Sequence, residues 1–300
     1  MNVAPQNQLT SLLDNSVLAR LERLRLQPNR RQTNRTQGEH VSGRGGSSTE
    51  FADYRNYVPG DDVRFVDWNI FARLNRPYLK LYQYEEEMHV AILVDASSSM
   101  RFENKFHRAR ELAAAFGVIG LMGTERVSVH VAGAAGDSPQ MLPPCSGRAN
   151  IRRLFGFLEQ VDCGGDSGID ESIEAMLRRH RGRGVVVLLS DFLTPATLSR
   201  PLNLLHSAGL EIFALQVLGP SEIDPELGGD LRLVDSEHGE VLDVSSIGEL
   251  LGLYREHREQ LEVYLRRQCH MRNGRFLSTS SEDPIQQVLF DLLLRQGWVK

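Results

Sequence analysis

The chain has 300 residues, of which 41% are hydrophobic, 24% charged and 7% aromatic, a globular profile with enough core to need no disulfide or metal staple. Disordered, collagen-like and low-complexity classes are thereby excluded. A net charge of -5 is too small, and of the wrong sign, for a protein whose whole surface grips nucleic acid. The charge is uneven: residues 20–80 carry 12 basic and 7 acidic side chains, a balance of +5, so the remainder sums to about -10. Among the 34 basic residues the lysines are Lys80, Lys105 and Lys300, and the rest are arginines.

Leu9, Leu13, Val17, Leu21 and Leu24 recur at helical spacing, which predicts an amphipathic helix over residues 9–26 docked on the body of the protein. Residues 27–50 are polar, basic and rich in Gly and Ser, the composition of a linker. Within them Arg44-Gly45-Gly46-Ser47-Ser48 lacks the lysine of a phosphate loop and does not follow a strand. Residues 51–87 read as a small irregular or β segment with a turn at Pro59-Gly60-Asp61. Its alternating acids and arginines should pair with one another, and Tyr54, Tyr57, Phe65 and Trp68 should anchor the loop from inside. The resulting domain plan is 1–50 for the N-terminal helix and basic linker, 51–87 for an accessory segment, and 88–300 for the main domain.

From residue 88 onward apolar strands alternate with helices. Strands are predicted at 88–94, 126–132, 184–190, 210–218 and 275–279, and helices near 104–122, 148–159, 169–181, 195–207, 246–268 and 284–295. A hairpin with His238-Gly239 at its turn is predicted over 232–244. Strands that are apolar on both faces and alternate with helices specify an α/β fold, a doubly wound, mostly parallel sheet with helices on both faces. Cys145, Cys163 and Cys269 are odd in number and form no C-x-x-C pair, which points to reduced thiols and away from a zinc site. No run reaches the roughly 18 apolar residues of a membrane helix, and the N-terminal stretch has no signal-peptide core, so the expected location is cytoplasmic, with no membrane partner.

The apolar strand Ala91–Val94 runs into Asp95-Ala96-Ser97-Ser98-Ser99, and a second buried strand ends in Ser190-Asp191. Working sites of doubly wound sheets lie at the carboxyl ends of the strands, so these acids and hydroxyls stand where a ligand should stand. Two carboxylates with hydroxyls make an all-oxygen cluster, which suits a hard divalent cation such as Mg²⁺ or Mn²⁺. Each group also has a plainer use, because Asp and Ser cap helix N-termini.

The D-x-S-x-S run resembles the metal-ion-dependent adhesion site of von Willebrand factor type A domains, a resemblance that spans about residues 88–280. It implies a metal held by Asp95, Ser97, Ser99 and Asp191, with a fifth ligand from the Gly164–Asp170 loop. Ser167 occupies the position of the family's threonine, and Asp166 competes with it. The stretch from Phe51 to Arg64, with Asp67-Trp68-Asn69 and Ala72-Arg73, resembles the signature of the bacterial domain of unknown function number fifty-eight. That family joins such a segment to a type A domain and is commonly encoded beside MoxR-type AAA+ ATPases.

The resemblance implies a binding module with no catalytic residues: a cation with an open position for a partner's Asp or Glu, and an adaptor working with a MoxR-type AAA+ ATPase in assembly or maturation of other proteins. The alternative is a Mg²⁺-dependent hydrolase or phosphoryl-transfer enzyme using the same acids, although no base or nucleophile is recognisable beside them. Nucleic-acid binding through residues 20–80 is the weakest reading.

Overall fold

The computed structural model describes residues 8–29, 33–34, 49–85, 88–136, 138, 140–165, 168–194, 197–225, 231–234, 241–244 and 247–300. For 33–34, 49–52, 81–85, 231–234, 241–244 and 247–250 it describes the backbone alone. These residues form two units, one drawn from 1–29 and 88–300, the other from 30–87.

In the larger unit α1 (Asn15–Leu21) buries Val17 and Leu21 in the core. It is shorter than the predicted helix because the Glu159 carboxylate accepts hydrogen bonds from the Thr10 hydroxyl (2.6 Å), the Ser11 amide (2.9 Å) and the Ser11 hydroxyl (3.0 Å). Those bonds offer the backbone before α1 an alternative to helix, while Leu12 and Leu13 still reach the core.

The smaller unit contains β1 (Thr33–Asn34), β2 (Thr49–Asn56), α2 (Trp68–Leu74) and β3 (Tyr78–Glu85), with its strands antiparallel in the order β1-β3-β2. The predicted turn is held by Asp61, which accepts from the Val58 amide (2.8 Å) and from both Arg55 terminal nitrogens (2.8 and 2.7 Å). Asp62 pairs with Arg64 at 2.5 Å and Asp67 with Lys80 at 3.1 Å, so acids and bases do pair within the unit. Asp67 also caps α2 by accepting from the Asn69 and Ile70 amides. The aromatic expectation is corrected: Trp68 is 60% exposed and Tyr54 39%. Three strands and a two-turn helix bury too little surface to cover every ring.

The main sheet uses β4 (His89–Asp95), β5 (Arg126–Ala132), β6 (Met141–Cys145), β7 (Gly184–Ser190) and β8 (Leu210–Leu218). After a separate antiparallel pair, β9 (Leu231–Val234) with β10 (Val241–Val244), it is completed by β11 (Arg275–Ser280). The predicted His238-Gly239 turn lies outside the described residues. Sheet order is β11-β8-β7-β4-β5-β6, parallel throughout except for β6, which runs antiparallel at one edge.

Side chains alternate between two cores. Val90, Ile92, Val94, Val185 and Val187 face α1, α3 (Lys105–Met122) and α4 (Ile151–Gln160). Ala91, Leu93, Val186 and Leu188 face α5 (Ile169–Arg179), α6 (Ser199–Ser207) and, beyond the short α7 (Pro220–Ile223), α8 (Ile247–His270). A closing helical run, α9 (Ile285–Gln287) and α10 (Leu293–Arg295) joined by a π turn, packs Val288, Leu289 and Leu293 into the first core. This is a mixed α/β fold with a mostly parallel sheet flanked by helices. No helix among the described residues is long and apolar enough to cross a membrane.

α3 is buried on nearly all sides, and Gly120 lets it approach the sheet: a Cβ there would lie 2.7 Å from Val127 Cγ2. The chain leaves β4 toward β5 on one side and later returns to β7 on the other, so the strand order reverses at β4. Crevices at such switch points open at the carboxyl ends of the strands.

Candidate functional site

Asp95 closes β4 at that switch point and is 5% exposed. Its Oδ1 accepts the Ser97 amide at 2.9 Å, bending the chain out of the strand, and its Oδ2 accepts the Ser190 hydroxyl at 2.6 Å from the end of β7. The helix-cap reading does not describe Ser97, which stands at the N-cap of the 3₁₀ turn Ser98–Asn104 without a side-chain capping bond. Its hydroxyl lies 3.1 Å from that of Ser99 instead. Burial first, and then the charge of Asp191, push the Asp95 carboxyl up to about 6, against the pull of its bonds to Ser190 and Ser97.

The Gly-rich second loop is stitched to this turn by backbone bonds: Gly164 donates to Ala96 O (2.7 Å), and Ser98 donates to Gly165 O (3.2 Å). Gly164 has φ +125°, and a Cβ on Gly165 would stand 2.6 Å from Ala134 O, so glycine is required at both for the loop to lie this close. The Cys163 thiol, pushed up to about 11 by burial, donates to Ser97 O at 3.0 Å. Ser167 and its competitor Asp166 lie outside the described residues.

Asp191 follows β7 and is 2% exposed. Its Oδ1 accepts the Leu193 amide (3.1 Å), its backbone carbonyl accepts the Gln216 side-chain amide (2.9 Å), and Phe192 beside it has φ +55°. Its Oδ2 accepts from the Lys105 ammonium at 2.7 Å. Lys105 is wholly buried and donates also to Glu222 Oε1 at 2.6 Å. Burial works against its charge, but Asp191 and Glu222 outweigh that and hold its pKa above the ordinary lysine value.

Three local devices aim these groups. Glu103 and Asn104 take left-handed backbone (φ +45° and +58°), turning the chain so that α3 begins at Lys105. Glu103 binds the Ser221 amide at 3.0 Å and also the Ser221 hydroxyl, tying down α7. Glu222 Oε2 accepts the Gly219 amide at 2.7 Å, which orients the carboxylate.

The structure thus brings Asp95, Ser97, Ser99 and Asp191 to one sheet edge, engages the Ser190 hydroxyl on Asp95, and adds two residues that the sequence pattern did not single out, Lys105 and Glu222. Lys105 left one signal, a lysine opening an apolar helix in a chain where 31 of 34 basic residues are arginines; Glu222 left none. Two carboxylates and convergent hydroxyls, with Asp95 carrying a buried and incompletely neutralised charge, have the donor chemistry that a hard divalent cation takes, and Asp95, Ser97, Ser99 and Asp191 are the residues that can hold it. Among the described residues no group of three or more His, Cys, Asp and Glu side chains is arranged to hold a metal, so any such site depends on its hydroxyls.

Together these features define an α/β protein with an oxygen-rich cluster of side chains at the switch point of its sheet. The chain belongs to the family described as "Protein of unknown function DUF58", whose model matches residues 53–259. It is 30% identical to the uncharacterized protein Rv1480 of Mycobacterium tuberculosis (strain ATCC 25618 / H37Rv) over 251 residues, 81% of this chain and 78% of the relative. A Mycobacterium avium protein, MAV169, is 33% identical over 101 residues, 33% of this chain and 59% of the relative. Among solved structures, an aerotolerance-related membrane protein from Bacteroides fragilis is similar at 18% identity and a TM-score of 0.43, covering 69% of this chain and 99% of that one. The conserved hypothetical protein BatB from Bacteroides thetaiotaomicron follows at 14% and 0.39, covering 69% and 98%.

Proposed function

We propose that the chain is a protein-interaction module of the von Willebrand factor A type that works through a divalent cation, Mg²⁺ or Mn²⁺, at Asp95, Ser97, Ser99 and Asp191, with Ser167 as the further ligand. The observation that carries the reading is the meeting of Asp95, Ser97 and Ser99 with Asp191 at the carboxyl edge of β4 and β7. A cation held by few carboxylates stays electrophilic and takes a partner's Asp or Glu at an open position. The resemblance noted in the sequence supports a MoxR-type AAA+ ATPase, or a client of one, as the partner, and an adaptor role in assembly or maturation. The enzyme reading is less favoured because Lys105, in contact with Asp191, is engaged by two carboxylates and so is a poor base or nucleophile.

The experiment is an affinity capture from cell extract with wild type and Asp95→Ala, in Mg²⁺ and in chelator. A partner retained by wild type in Mg²⁺ and lost in both other arms is expected. Retention indifferent to the cation and to Asp95 contradicts the proposal, and Asp95-dependent turnover of phosphate esters would replace it with the enzyme.

A further inference from the structure

A buried ammonium beside an acid that is to ligate a metal is an unusual neighbour, because two cations compete for one carboxylate. Lys105 and Asp191 have side chains 1% and 4% exposed, so water cannot take over from either partner. The ammonium occupies Asp191 Oδ2, and the Leu193 amide occupies Oδ1, which leaves Asp191 with a donor on each oxygen. Asp95, by contrast, takes its hydrogen bonds from the Ser190 and Ser97 hydroxyls and the Ser97 amide, all of them neutral donors.

With their ordinary charges, Asp95, Asp191, Glu222 and Lys105 sum to -2, the charge one divalent ion neutralises. Glu222 gives the ammonium somewhere to remain: if Lys105 releases Asp191, its bond to Glu222 Oε1 keeps it paired. The choice of lysine suits such a transfer, since an ammonium is a compact point charge whose donors rotate between acceptors, whereas a guanidinium fork holds one carboxylate in fixed geometry. That choice stands out in a chain with three lysines among 34 basic residues.

We propose that Lys105 is the resident cation of the site: it holds Asp191 when no metal is bound and must release it, falling back on Glu222, for a divalent ion to be coordinated. This rests on the cation reading above. It makes the site conditional, with the affinity for metal set by an internal competitor, so that whatever moves α7 and Glu222 also moves that affinity.

The test measures Mn²⁺ affinity of the full chain by calorimetry for wild type, Lys105→Met and Asp95→Ala. Removing the competing charge should tighten binding about tenfold or more in Lys105→Met, as expected for one unit charge in contact with the shared ligand. Binding by Lys105→Met alone would be the extreme form of the same result. Equal or weaker binding by Lys105→Met overturns the inference and leaves the cation reading standing, whereas no Mn²⁺ binding by either chain sinks both. Because Lys105→Met leaves the buried Asp191 and the half-buried Glu222 without a cation and can fail to fold, wild type labelled on its lysines supplies a second measurement. With three lysines, magnetic resonance should show the Lys105 side-chain signal shifting on Mg²⁺ titration while those of Lys80 and Lys300 stay; a Lys105 signal unmoved at saturating Mg²⁺ overturns the inference.

Discussion

Two buried polar clusters at opposite ends of the main sheet, one around Lys105 and one around His89, are accommodated by opposite means. At the carboxyl edge the charges are kept and paired, Lys105 lying between Asp191 and Glu222. Toward the amino edge a histidine cluster is kept neutral: His89 opens β4, stacks on His180 with ring centres 4.6 Å apart, and shares the Ser128 hydroxyl with His130 (3.0 and 3.3 Å). His89 Nδ1 donates to Arg181 O at 3.3 Å, which leaves its Nε2 to accept from Ser128. Burial first, and then the neighbouring imidazoles, push His89 and His130 down to about 4. A neutral network can be packed and left alone, whereas a paired one retains charge that a ligand can recruit.

Breaking the paired end should cost most. Lys105→Ala leaves the buried Asp191 and the half-buried Glu222 without their cation and is expected to lower stability by about 3 to 5 kcal/mol in urea denaturation. A loss near zero would mean that water reaches the pair. The neutral end is probed by pH. Its imidazoles have folded-state pKa values below their unfolded value, so the stability they contribute is fully present above about 6.5 and is lost as pH falls from there toward about 4. For His89 alone this is on the order of 3 kcal/mol. His89→Gln should therefore flatten the midpoint-against-pH curve between pH 6.5 and 4, and an unchanged slope would place the acid lability elsewhere.

Gly120 tests how closely α3, which begins at Lys105, must pack on the sheet. Gly120→Ala puts a methyl against Val127 and should cost about 1 to 3 kcal/mol. The smallest effect is expected at the exposed Asp62–Arg64 pair, where Arg64→Ala should leave the denaturation midpoint unchanged.

The main sheet was legible because β4, β7 and β8 are apolar on both faces, a pattern only a doubly covered strand satisfies. β6 was missed for the complementary reason: Pro143 and Pro144 argue against a strand, and only an antiparallel edge tolerates them. In the smaller unit β2 and β3 pair over a long register but are joined through α2 rather than a tight turn, so no hairpin signal marks them. The acids and hydroxyls at the strand ends were legible from their position after apolar runs. The Lys105–Asp191–Glu222 triad was not, because it joins residues 86 and 117 positions apart through tertiary folding alone.

The central claim, a divalent cation at the carboxyl edge, is tested most directly by the melting temperature in Mg²⁺ for wild type and Asp95→Ala. An ion that binds only the folded chain, at 100-fold excess over its Kd, adds about 2.7 kcal/mol, which is a rise of several degrees in a protein this size. The account predicts that rise in wild type and its absence in Asp95→Ala. No rise in wild type, or an equal rise in both, would contradict it.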